Sequence, residues 1–237
     1  MRGLAIVWMA FFHFCFDLNY FGYFEPHQRF QHDPFWTLQR TCIVTLFLLC
    51  AGMGQAVAIE AKQSWARFWR RWAQVAGCAA LVSIGSAQMF PNTWISFGVL
   101  HGIAAMLIIV RLLAPRQLAQ GALGYTVLLG LALAALVLPR VWHDPLFDSR
   151  WTNWTGLVTH LPRAEDYVPV LPWLGVVLAG VVLGHWLLKH RPQWLAGNVP
   201  AALRPLAVLG TWSLTFYMLH QPVLIGAIRA WRWATGA

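Results

Sequence analysis

Runs of about 20 apolar residues dominate this sequence, and they constrain its fold more than any other feature. The plainest run, QGALGYTVLLGLALAALVL at 120–138, contains no Asp, Glu, Lys or Arg. A helix of this length crosses the hydrocarbon core of a bilayer while satisfying all of its own backbone hydrogen bonds. The run therefore predicts a transmembrane helix.

Seven such runs follow one another along the chain. Their predicted bounds are 3–22, 36–59, 70–89, 96–113, 120–138, 171–188 and 206–228. We therefore predict an all-α fold, a polytopic transmembrane bundle of about seven helices that forms a single domain over 1–237. Charged residues make up 11% of the chain, against about a quarter in soluble domains, which excludes an ordinary soluble enzyme.

Basic residues concentrate in three of the predicted loops, 59–72, 111–120 and 189–205. Because such loops stay on the cytoplasmic side, we predict a cytoplasmic N-terminus in a multi-pass protein of a bacterial inner membrane. Arg229 and Arg232 disagree with this orientation, since they follow the last predicted helix on the outer side. The excess of 17 Lys and Arg over 8 Asp and Glu reflects topology, and no basic stripe typical of nucleic-acid binding is present.

Cysteine spacing gives no sign of a metal centre. The four cysteines lie inside apolar runs, without a CxxC pair or a zinc-type spacing: Cys15, Cys42, Cys50 and Cys78. We interpret them as buried free thiols and expect no metal cofactor.

Five ionisable residues lie in the outer parts of four predicted helices: His13, Asp17, Arg40, His101 and His220. Ionisable groups in membrane segments are costly and usually face a polar cavity or a partner. His13 and Asp17 are four residues apart and share one helix face. The pattern predicts a polar cavity open to the outer leaflet. An Asp17–Arg40 ion pair and a packed, neutral His101 are structural alternatives.

The last predicted helix adds a further polar feature. Tyr217 lies on the same face as His220, and Pro222 removes the amide that would bond a carbonyl one turn earlier. His27 lies in the loop after the first helix, where Glu25 is close by. A histidine in such a setting is suited to act as a general base, because imidazole titrates near neutrality.

Five segments together resemble one family. They are RGLAIVWMAFFHFCFDLNYF, FLLCAGMG, FGVLHGIAA, VPVLPWLGVVLAG and LGTWSLTFYMLHQPVL. In this order, over almost the whole chain, they are similar to bacterial relatives of the catalytic domain of heparan-α-glucosaminide N-acetyltransferase, in a transmembrane acyltransferase superfamily. The resemblance implies transfer of an acetyl group from acetyl-CoA to an extracytoplasmic acceptor, an amino sugar or another glycan amine or hydroxyl.

The resemblance also implies a catalytic asparagine near the end of the first helix and a histidine in the following loop. Counted from the Arg-Gly pair, the asparagine falls at His13 and the histidine falls opposite Phe24, close to His27. We predict four catalytic residues: His13, Asp17, His27 and His220. Four more are predicted to bind substrate: Arg40, His101, Tyr217 and Trp173.

In the predicted mechanism, His13 oriented by Asp17, or else His27, takes the acceptor's proton. Direct attack on the thioester and an acetyl-histidine intermediate both remain open. The predicted partners are the acyl donor, a glycan-type acceptor and the lipid bilayer, with a homodimer as an option.

Other functions suit the same residues. The main alternative is a proton-coupled small-molecule transporter, in which the His/Asp cluster is a proton relay. A metal-dependent intramembrane hydrolase is a second alternative, although no HExxH spacing is present. A purely structural membrane subunit is disfavoured by the number of ionisable groups in one leaflet.

Overall fold

A computed structural model describes residues 1–196 and 199–236. In these ranges the regular secondary structure consists of α-helices and three short 3-10 helices, which confirms the all-α prediction. The helices are α1 Arg2–Tyr20, α2 Pro34–Glu60, α3 Trp65–Met89, α4 Val99–Leu118, α5 Ala122–Val141, α6 Val170–His190, α7 Pro192–Ala196, α8 Arg204–Thr211 and α9 Ser213–Thr235.

Five of the described helices, α1, α2, α4, α5 and α6, are long and apolar enough to cross a membrane. α3 and α9, with 25 and 23 residues, have the length but are less apolar. All seven predicted segments coincide with helices. The last one, predicted at 206–228, is interrupted at Trp212, whose backbone leaves the helical conformation between α8 and α9.

The first of two compact units comprises residues 1–47 and 198–237. Here α1 packs against α8 and α9. A Cβ on Gly3 would lie 1.9 Å from the carbonyl oxygen of Leu206, so glycine is required where α1 meets α8. The buried core of this unit is aromatic and aliphatic: Met9, Phe12, Cys15, Phe30, Trp36 and Ile43.

The second unit comprises residues 48–197. Its α5 packs along α6, and α4 packs against α3, α5 and α6. Small residues bring the α2 and α6 backbones together, since a Cβ on Gly52 would lie 2.1 Å from the carbonyl oxygen of Val177. The single-domain assignment stays a prediction.

The long loop between α5 and α6 is held by its own polar contacts. The Asp148 carboxylate accepts hydrogen bonds from the Thr159 hydroxyl at 2.6 Å and the Thr159 amide at 2.7 Å. These bonds, the hydroxyl bond foremost, lower the pKa of the Asp148 carboxyl. The Tyr167 hydroxyl donates to the Asn153 carbonyl at 2.6 Å. The loop is therefore an ordered part of the second unit.

Candidate active site

A histidine pair joins α1 to α9 in the first unit. Nδ1 of His13 lies 2.6 Å from Nε2 of His220. The ring centroids are 4.9 Å apart and the ring planes differ by 17°. The two centroids can be this far apart, with the nitrogens this close, only if each nitrogen lies between the centroids. The two centroids and the two nitrogens therefore lie nearly on one line. The rings are therefore almost coplanar and meet edge to edge, which is the geometry of a good hydrogen bond.

The hydrogen-bond network assigns the protons of this pair. Nδ1 of His220 lies 2.7 Å from the carbonyl oxygen of Tyr217, and a carbonyl only accepts, so this nitrogen carries a proton. Nε2 of neutral His220 is then an acceptor, and Nδ1 of His13 donates to it. Neutral His13 therefore has its lone pair on Nε2. His13 is half-buried, and its Nε2 makes no hydrogen bond within the described residues. This atom is suited to accept a proton.

Asp17 makes a different contact from the one predicted. It is 2% exposed, and its Oδ1 accepts a hydrogen bond from Nε2 of Gln221 at 2.9 Å. Among the described residues it forms no ion pair with His13 or with Arg40. The prediction that Asp17 orients His13 is therefore wrong, and so is the alternative of an Asp17–Arg40 ion pair. His220 orients His13 because α9, and not the next turn of α1, supplies its hydrogen-bond acceptor.

Loop histidine His27 is anchored to the end of α1. The buried Asn19 accepts a hydrogen bond from the Gln28 amide at 2.7 Å and donates to the Gln28 carbonyl at 3.0 Å. Its side-chain nitrogen lies 3.4 Å from Nε2 of His27. The His27 side chain is exposed. Asn19 therefore holds a second histidine in a defined place near the end of α1.

The predicted binding residues of the first unit have different environments. Tyr217 is half-buried against the aromatic core, and its ring is tilted by 55° from that of His220 at 5.7 Å. Arg40 is exposed on α2 and forms no ion pair within the described residues. An unpaired guanidinium on an apolar helix is available to an anionic group.

His101 belongs to the second unit and caps the start of α4. Its Nδ1 accepts the Gly98 amide at 3.2 Å, so its Nε2 carries the proton and contacts the Ser83 hydroxyl at 3.1 Å. Ser83 in turn donates to the carbonyl of Ile95 at 2.7 Å. Both ring nitrogens are engaged in this cap. A role for His101 in substrate binding stays a prediction.

Trp173, also in the second unit, lies near the start of α6. The helical backbone of α6 is interrupted at Leu171, whose backbone is extended, so Pro172 falls in the first regular turn, where proline is favoured. The Trp173 side chain is half-buried. Its role in substrate binding stays a prediction.

One polar cluster of the second unit was missed. Nδ1 of the buried His185 lies 2.7 Å from the Tyr125 hydroxyl, and Nε2 lies 3.4 Å from a Glu60 carboxylate oxygen. Lys189 pairs with the same carboxylate at 3.3 Å. His185 and Lys189 are four residues apart on α6, and this spacing was the available signal.

In the part of the chain that the structure describes, no three His, Cys, Asp or Glu side chains lie together as a metal ion would require.

Comparison with known proteins identifies the family. Residues 1–222 match the family described as heparan-alpha-glucosaminide N-acetyltransferase, catalytic. No curated protein and no solved structure matches the chain.

Proposed function

Because the chain belongs to the heparan-α-glucosaminide N-acetyltransferase catalytic family, we propose that it transfers an acetyl group from acetyl-CoA to an extracytoplasmic glycan-type acceptor. The family supports an acetyltransferase-like membrane enzyme, and the five apolar helices support membrane embedding. A bacterial inner membrane with the N-terminus in the cytoplasm completes the proposal. The acyl donor is then cytoplasmic while the acceptor is on the far side.

The His13–His220 pair is the observation that carries the chemistry. Nε2 of His13 takes a proton from the acceptor amine or hydroxyl as that group attacks the thioester carbonyl. The carbon–sulfur bond then breaks, and coenzyme A leaves as a thiolate that recovers the proton. As His13 becomes cationic, its Nδ1–H bond to His220 strengthens. His220 thus positions the base and stabilises its charged form.

His27 is the second candidate for the base. The resemblance implies an asparagine and a loop histidine, and Asn19 and His27 are such a pair, with 3.4 Å between their side-chain nitrogens. In the sequence, however, the family asparagine aligns with His13 and not with Asn19. We therefore assign the base to His13 first and to His27 second.

The remaining roles are part of the same proposal. Arg40 binds a phosphate of the donor or the developing oxyanion, since its guanidinium is exposed and unpaired within the described residues. Tyr217 positions the acceptor or acyl group, through its contact with His220. Trp173 and His101 keep substrate-binding roles in the proposal, on the strength of the sequence pattern alone.

The test is release of free thiol from acetyl-CoA by purified protein in detergent, with and without glucosamine. We expect acceptor-dependent release that falls by a factor on the order of 10² or more in His13→Ala. His27→Ala tests the second candidate. His143→Ala is the matched control, because His143 is an exposed loop histidine outside the proposed site.

Two outcomes redirect the proposal. If His27→Ala loses activity and His13→Ala does not, the general base is His27, held in place by Asn19. No release by the folded wild-type protein with a panel of amine and hydroxyl acceptors refutes acetyl transfer. It favours the transporter, for which the bonded histidines are a proton relay.

A further inference from the structure

Among the described residues, two oxygen atoms of the Asp17–Gln221 pair have no hydrogen-bond donor. Nε2 of Gln221 donates to Oδ1 of Asp17 at 2.9 Å, and this bond joins α9 to α1. The other oxygen of each group, Oδ2 of Asp17 and Oε1 of Gln221, is buried and without a partner among the described residues. Buried polar atoms are rarely left unpaired, so this arrangement requires an explanation.

An ionised Asp17 does not explain it. The side chain is 2% exposed, and no Lys, Arg or His within the described residues forms an ion pair with it. A buried carboxylate without a cation is costly, and more so in a membrane segment. Ionised Asp17 also offers no donor to Oε1 of Gln221, so both oxygens stay unsatisfied.

One proton on Oδ2 of Asp17 gives both unpaired oxygens a hydrogen-bond partner. A carboxylic acid and a primary amide pair through two parallel hydrogen bonds, in which each group donates once and accepts once. One of these bonds, Nε2–H to Oδ1, is present. The two unpartnered oxygens are the two atoms that the second bond would use.

We propose that Asp17 is held as a neutral carboxylic acid whose Oδ2–H donates to Oε1 of Gln221, and that this acid–amide pair locks α1 to α9 beside the histidine pair. Asp17 is then a positioning residue and not a base. The inference rests on the geometry of the first unit and does not depend on acetyl transfer.

The pair acts on catalysis through the helices that carry the histidines. On α1, Asp17 follows His13 by one helical turn, and on α9, Gln221 directly follows His220. The titratable groups within about one turn of the pair include His13 and Tyr20 on α1 and Tyr217 and His220 on α9, and the two histidines bond to each other. By setting the rotation of α1 and α9, the acid–amide pair keeps Nδ1 of His13 aimed at Nε2 of His220.

The experiment compares Asp17→Asn with Asp17→Ala. Asparagine replaces the Oδ2–H donor by an Nδ2–H donor, so the closed pair survives as an amide–amide pair, whereas alanine removes it. We expect thermal stability near that of the wild type for Asp17→Asn and a clear loss for Asp17→Ala. Thiol release in Asp17→Asn should exceed that in Asp17→Ala by about tenfold, the value of one or two buried hydrogen bonds.

Infrared spectroscopy reads the proton directly and without any substrate. The wild-type protein at neutral pH should show a carboxylic-acid C=O band that is absent from Asp17→Asn. Glu25→Gln is the matched control, because Glu25 is an exposed loop carboxylate, and this change should leave the band in place. The absence of the band in the wild type overturns the proposal, as does Asp17→Asn being as unstable as Asp17→Ala. A band without any thiol release refutes acetyl transfer alone.

Discussion

Replacing His220 tests whether α9 holds the base of α1 in its working tautomer. In His220→Ala, Nδ1 of His13 loses the acceptor that lies 2.6 Å away. A hydrogen bond to a charged group contributes about 1.5–3 kcal/mol, and this bond becomes charge-assisted when His13 takes up the acceptor's proton. Losing it in the transition state lowers kcat by about 10- to 150-fold.

Two further substitutions separate the hydrogen bond from general packing. In His220→Gln, the amide oxygen takes the place of Nε2 and still accepts from His13, so kcat should exceed that of His220→Ala by about tenfold. His220→Asn is the matched control, since its side chain is one bond shorter and does not reach. The assay is the rate of thiol release at saturating acetyl-CoA, with thermal unfolding to confirm folding. Equal rates for the glutamine, asparagine and alanine variants would refute the tautomer assignment.

Two predictions concern the second unit. Tyr125→Phe removes the hydroxyl 2.7 Å from Nδ1 of buried His185, and should lower the free energy of unfolding in detergent by about 1–3 kcal/mol, with Tyr23→Phe as the exposed control. The Thr159 hydroxyl lowers the pKa of Asp148 in the folded loop. Ionised Asp148 therefore stabilises the loop fully at a pH above about 3.9, the ordinary pKa of aspartate, and this stabilisation is lost as the pH falls through the lowered pKa. Relative to pepsin cleavage of an unstructured peptide at each pH, cleavage of the loop should speed up as pH drops, and Asp148→Asn should reduce this relative increase.

Apolar segment length predicts most of the helices. The run at 120–138 became α5, Ala122–Val141, because nothing in it competes with membrane insertion. The start of α3 was predicted at 70, five residues late, because Arg67 and Arg70 read as loop charges. In the structure Ser64 accepts the Arg67 amide and caps the helix, and the arginines are exposed on its first turns.

The partners within the site were harder to predict. Sequence placed His13 and His220 in the outer parts of their helices, but helical periodicity does not fix how two distant helices are rotated toward each other. The four-residue spacing therefore favoured Asp17 as the partner of His13, whereas the structure supplies His220. The variants of His13, Asp17, His27 and His220 test the four residues that the sequence predicts to be catalytic.

Sequence separation gives the histidine pair a consequence for biosynthesis. His13 and His220 are 207 residues apart, and Asp17 and Gln221 are 204 apart. Chains emerge from the ribosome N-terminus first, so α1 enters the membrane long before α9 exists. Until then Asp17 lies in the bilayer without the amide that satisfies it. A nascent chain stalled before α9 would carry an unpaired acid on α1, a polar group that membrane chaperones and proteases can recognise, and the paired site would form last.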